Sequence, residues 1–186
     1  MSVSLPSSAL AALPQGMCSW RYQVLDHRET EMASLDVRGS HAILSFQGQA
    51  YYLLPAGQLF QPRHIWVRDD GGIAAQRYWF RPTVSEEDYP PVCVFTRPPG
   101  WYLGYRFNVA LAGETLLLQR ERGTFTITRQ DQVVGLIKPQ HAFTRRAVIL
   151  CEPSVPLLTQ LFCFGKVALL WRAESDSAAS SAGAGV

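Results

Sequence analysis

Residues 154–172, SVPLLTQLFCFGKVALLWR, are the one strongly apolar stretch of helical length in the chain, and they follow more than a hundred residues patterned as strands. Ser154 reads as an N-cap, and Pro156 falls in the first helical turn, where its missing N–H costs nothing. From Val155 to Trp171 apolar side chains stand on nearly every side, with Thr159, Gln160, Gly165 and Lys166 as the exceptions. A helix apolar all round is wrapped either by protein or by lipid. Its length of about 26 Å is the lower limit for a bilayer crossing. A span would also carry the Lys166 charge into hydrocarbon at roughly 2.5 kcal/mol or more. A barrel of many strands, by contrast, needs something to fill its lumen. The segment is therefore expected to be the central helix of a β-barrel, about 155–171, with lipid insertion and ordinary packing on a sheet face as the competing readings. The Lys166 ammonium is expected at a barrel mouth or against a carboxylate.

Upstream, the dominant period is two. SWRYQVLD (19–26) alternates, and HAILSFQGQAYYLLP (41–55) gives two strands joined around Gly48. HIWVRDDGGIAAQRYWF follows, with Asp69-Asp70-Gly71-Gly72 as a hairpin signal. The Pro-rich interval RPTVSEEDYPPVCVFTRPPG reads as a long loop with a short strand at Val92–Phe95. From Trp101 strands resume as GWYLGYRFNVAL, ETLLLQRE, GTFTITR, QVVGLIK and AFTRRAVILC. A faint repeat aligns IWVRDDGGIAA (65–75) with FTITRQDQVVG (125–135). Short strands with turns about every ten residues predict a mainly β fold, an antiparallel barrel or sandwich.

With 186 residues the chain suits one domain. The opening MSVSLPSSALAALPQG lacks the basic start of a signal peptide and reads as a flexible arm over 1–17. A single domain is expected over 18–172. The closing AESDSAASSAGAGV has little to bury, so 173–186 reads as a disordered tail. Cys18, Cys93, Cys151 and Cys163 are far apart among apolar neighbours, as buried free thiols in the cytoplasm would be, with two disulfides the alternative that their number leaves open.

The order of features in FTITRQDQVVGLIKP and AFTRRAVILCEPSVPLLTQLFCFGKVALLWR, a strand pair and then a strand feeding an apolar terminal helix, resembles the tubby C-terminal-like superfamily. That superfamily includes the tubby proteins, the phospholipid scramblase-like proteins and the LURP-one-related proteins. The match covers roughly residues 123–172. The resemblance implies a closed antiparallel β-barrel around a hydrophobic C-terminal helix. The chain departs from the family's lipid and metal chemistry in lacking a long lysine-rich face and a calcium-loop sequence.

No constellation of residues identifies a reaction. There is no GxSxG, P-loop or GxGxxG, and the contiguous Glu86, Glu87 and Asp88 read as a solvated loop. His27, His41, His64 and His141 are not spaced as metal ligands, so no cofactor is expected. Cys151 reads as a buried thiol rather than a nucleophile. Trp79, Phe80, Tyr89 and Trp101 are candidates for lining a barrel mouth or filling the core. Charge is the one functional hint. From Thr115 to Arg172 eight cations face three acids, whereas nine arginines face ten acids before Thr115. Lys138, His141, Arg145 and Arg146 fall around one turn, a candidate site for an anionic phospholipid or other phosphate-bearing ligand. The formal charge of +2 carries no strong nucleic-acid signal. The expectation is a non-enzymatic binding module, cytoplasmic or peripheral to a membrane, that recognises an anionic ligand through a basic rim. The alternative is a scramblase-like, lipid-handling protein anchored by its C-terminal helix.

Overall fold

The computed structural model describes residues 9–16, 19–56, 63–69, 90–98, 105–140 and 145–183. Twelve strands run β1 (Ala9–Pro14), β2 (Arg21–Leu25), β3 (Glu31–Arg38), β4 (His41–Phe46), β5 (Gln49–Ala56), β6 (Arg63–Arg68), β7 (Cys93–Thr96), β8 (Arg106–Leu111), β9 (Glu114–Glu121), β10 (Thr124–Arg129), β11 (Gln132–Pro139) and β12 (Ala147–Cys151), followed by helix α1 (Leu157–Gly183). Each strand pairs antiparallel with its chain neighbours, and β1 pairs with β12 to close the barrel. The mainly β closed barrel expected from the sequence is the fold. Tight hairpins make this meander. Gln47-Gly48 and Arg122-Gly123 hold both turn residues at positive φ, the twist that matches the flanking strands.

The helix threads the lumen. From Thr159 to Leu169 every residue is buried, three full turns with no solvent face. Strands spaced about 4.8 Å apart and tilted about 40° close twelve-fold at a radius of roughly 12 Å. A helix with its side chains takes up about 5–6 Å of that radius, leaving room for one layer of inward side chains. Aromatic rings from several strands fill this layer. Trp66 of β6 stacks on Phe162 at 4.9 Å and its Nε1–H donates to the Phe162 carbonyl at 3.2 Å. Tyr22 of β2 meets Phe164 edge-on at 5.3 Å, and Tyr51 of β5 meets Phe162 in the same way. Phe125 of β10 packs on Trp171. At Gly165 the helix lies close against the wall, for a Cβ there would lie 2.5 Å from the Trp66 ring. No helix among the described residues is long and apolar enough to cross a membrane.

A second apolar cluster lies on the outer wall: Tyr52, Leu54 and Ala56 of β5 alternate with inward Leu53, and Ile65 and Val67 flank inward Trp66. Both faces of β5 and β6 are therefore buried, which is why AYYLL and IWV read as continuous apolar runs rather than alternating ones.

Three local readings differ from expectation. Ala9–Pro14, within the stretch expected to be a flexible arm, is strand β1, hydrogen-bonded on one side to β12 and on the other to β2. Helix α1 runs on to Gly183 through the stretch expected to be disordered, since an already nucleated helix propagates through alanine and serine at little cost. Ser154 is not the N-cap. Its hydroxyl donates to Glu152 and accepts from Arg129, while the Pro156 carbonyl takes the first helical bond from Gln160 N–H. The expected strand at 92–95 is β7, whereas Asp70–Gly72, Glu86–Asp88 and the aromatics Trp79, Phe80, Tyr89 and Trp101 lie outside the described residues. Cys93, Cys151 and Cys163 are buried free thiols, with Cys18 outside the description.

Candidate functional site

An up-and-down barrel sends alternate connections to opposite ends, and here that sorting separates charge. One end collects the start of every even-numbered strand and the close of every odd-numbered one. Its described cations are Arg21, Arg38, Arg63, Arg97, Arg106, Arg120, Arg122, Lys138, Arg145, Arg146 and Arg172, eleven in all, against the four acids Asp36, Glu121, Glu174 and Asp176. The opposite end has three described cations, Arg28, Arg68 and Arg129, against the seven acids Asp26, Glu29, Glu31, Asp69, Glu114, Asp131 and Glu152. Low-dielectric walls between two such rims focus the field at each mouth.

The acids of the basic rim are already engaged. Asp36 holds Arg38 at 2.6 Å and Arg21 at 3.3 Å. Helix α1 leaves the barrel through this mouth, and there Glu174 pairs with Arg120 while Asp176 lies 3.6 Å from Arg172. Gln119 binds Glu121. Exposed Arg97, Arg122, Lys138 and Arg146 are left without a carboxylate among the described residues.

The four residues singled out from the sequence fare differently. Lys138 and Arg146 stand exposed on the outer edge of the β11–β12 connection, which is closed by Gln140 N–H donating to the Arg146 carbonyl at 2.7 Å. Arg145 is turned inward: its guanidinium lies 4.2 Å over the Trp20 ring and donates to the Ser19 carbonyl, bracing β12 to the start of β2. It is a structural cation as well as a rim charge. His141 lies outside the described residues.

Below the rim is a group the sequence reading misplaced. Lys166 is 1% exposed, and its partner is not a carboxylate. Its Nζ is 3.1 Å from His64 Nδ1 and 4.5 Å from the centroid of the Phe107 ring. Burial, aided by the nearby charge of Arg97, pushes the Lys166 ammonium down to about 7. Burial and Lys166 together push the His64 ring down to about 3, so it is neutral. The lone lysine in an apolar helix was the visible signal, but nothing around His64 in the sequence marked it as the partner. Tyr22, also buried in the lumen, has a hydroxyl without a hydrogen-bond partner, raised to about 12 by burial. Among the described residues no set of histidines, cysteines and acids converges as metal ligands.

Comparison with protein families, with characterised proteins and with solved structures finds no match for this chain.

Proposed function

We propose that this barrel is a binding module whose basic mouth docks on the anionic phospholipid headgroups of a membrane surface. The observation that carries the reading is the axial separation of charge: among the described residues, eleven cations against four acids at one rim, with the excess reversed at the other. A flat anionic surface meets a rim end-on, and each cation near such a surface contributes about 1 kcal/mol within a Debye length. The helix leaves the lumen through the same mouth. Membership of the tubby C-terminal-like superfamily is part of this proposal, since a closed antiparallel barrel around an apolar C-terminal helix is the arrangement common to both. The anchoring alternative would need Phe162, Phe164 and Leu169 to face lipid, and all three are buried among strand side chains.

Co-sedimentation with vesicles tests the reading. Wild-type protein is expected to partition onto vesicles containing phosphatidylserine or phosphatidic acid, to ignore pure phosphatidylcholine, and to be released by salt. Lys138→Glu with Arg146→Glu and Arg122→Glu is expected to lower partitioning at least tenfold, because three exposed rim charges are reversed. Equal partitioning on neutral and anionic vesicles would remove the proposal.

A further inference from the structure

The lumen carries a lysine that stability alone does not explain. A methionine or leucine at position 166 would fill similar space without desolvating an amine. The titratable and charged groups around Lys166 are His64 of β6 and Arg97 just beyond β7; Tyr105 feels the Arg97 charge and is itself hydrogen-bonded to Glu174. β8 contributes the Phe107 ring, and Leu35 of β3 lies beside the neighbouring Gly165. No carboxylate among the described residues offsets the lysine.

The charge on Lys166 decides the tautomer. An ammonium only donates, so a charged Lys166 donates to His64 Nδ1 and the ring hydrogen sits on Nε2. No described residue accepts from Nε2, and His64 is half-buried rather than sealed in. Arg97 is exposed at the same mouth with no carboxylate partner among the described residues.

We propose that His64 Nε2–H and the Arg97 guanidinium form a receptor for one phosphate group at the basic mouth, with Lys166 behind His64 fixing the ring tautomer and holding the proton that balances the bound charge. The inference rests on the proposed function and names the point where a single headgroup engages. A dianion seated there attracts the Lys166 proton that burial and Arg97 otherwise repel. Binding at pH 8, where the free protein has lost most of that proton, therefore takes up nearly one proton per site.

Calorimetry on the full chain tests this with inorganic sulfate, a tetrahedral dianion that does not itself titrate near neutral pH, in two buffers of different ionisation enthalpy at pH 8. The expected result is saturable binding with proton uptake. Lys166→Met should abolish the uptake and weaken binding at least tenfold, and Arg97→Gln should weaken binding by a similar factor. Glycerol 3-phosphate and phosphatidic acid vesicles identify the source of the phosphate. Comparable binding of both means the phosphate group alone is recognised, whereas binding to the vesicles alone, lost in the same two variants, means a lipid-borne phosphate is required. The inference is overturned if binding of sulfate, glycerol phosphate and phosphatidic acid vesicles alike is unchanged by Lys166→Met and Arg97→Gln, or if binding occurs without proton uptake. It is also overturned if neither soluble anion binds while the two variants sediment with anionic vesicles as wild type does, an outcome that leaves the rim reading standing. Absence of all binding to anionic vesicles overturns both.

Discussion

Gly165→Ala is the sharpest test of the helix-in-lumen packing. In an exposed helix the change would stabilise by about 1 kcal/mol. Here the added methyl would lie 2.5 Å from Trp66 Cζ2, 3.0 Å from Cη2 and 3.4 Å from Leu35 Cδ1. The Trp66 ring cannot swing aside. It is fully buried, stacked on Phe162 at 4.9 Å, and tied through Nε1 to the Phe162 carbonyl at 3.2 Å. Overpacking of this kind costs about 1–3 kcal/mol, and displacing the indole forfeits about 1 kcal/mol more of hydrogen bonding. Sterics therefore outweigh propensity, and a net loss of about 1–3 kcal/mol is expected, or roughly 3–10 °C in Tm for a chain of this size. Urea melts followed by far-ultraviolet circular dichroism and by tryptophan emission measure it. Adding Trp66→Phe removes the two clashing ring carbons, so a double-mutant cycle should show favourable coupling of about 1 kcal/mol or more. A Gly165→Ala protein as stable as its parent would mean that the helix does not press on Trp66, and the lumen packing would be wrong.

Lys166→Met should raise stability most at neutral pH. The folded protein releases the Lys166 proton near 7 and the unfolded chain near 10.5, so wild-type stability climbs across that interval by about 5 kcal/mol while the variant lacks the climb. Chemical melts of both proteins from pH 6 to pH 10 check this, and a pH-independent difference would contradict it. The acid limb has the same origin in a second buried base: neutral His64, at about 3 in the fold against an ordinary 6.5, makes stability fall as pH drops below 6.5, and Lys166→Met should shallow that fall. Glu174→Gln releases Arg120 at the rim and is expected to raise partitioning onto anionic vesicles several-fold, read by co-sedimentation. Burial raises all three described thiols, Cys93, Cys151 and Cys163, so alkylation followed by peptide mass mapping should label them only after unfolding.

The strands that were legible are those whose alternation is strong. TFTITR and RYQVL put bulky residues on one face, and two-residue turns such as Arg122-Gly123 mark where the chain reverses. β3 passed unnoticed because Ala33 and Ser34 dilute the pattern, although Leu35 and Val37 point inward with Ala33. β1 was illegible for a deeper reason. ALAALP has the composition of a helix or an arm, and it becomes a strand because β12 and β2 offer two open edges that it alone can close. The rim charges were visible only in part. Lys138 and Arg146 are neighbours across one connection, whereas Arg38, Arg97 and Arg122 come from connections far apart in the chain.

From the sequence alone follow the class of fold and the occupant of its centre, because period-two strands must close on something and a helix apolar on every side has nowhere else to go. The tertiary structure decided everything that depends on which ends meet. The chain reads as nearly neutral, with a modest basic excess late in its length, yet the folded barrel is basic at one mouth and acidic at the other. The cause is topological: successive connections in a meander alternate between ends, so an alternation of charge along the chain becomes a separation of charge in space. The meeting of Lys166 with His64, 102 residues away in the chain, follows from the same closure.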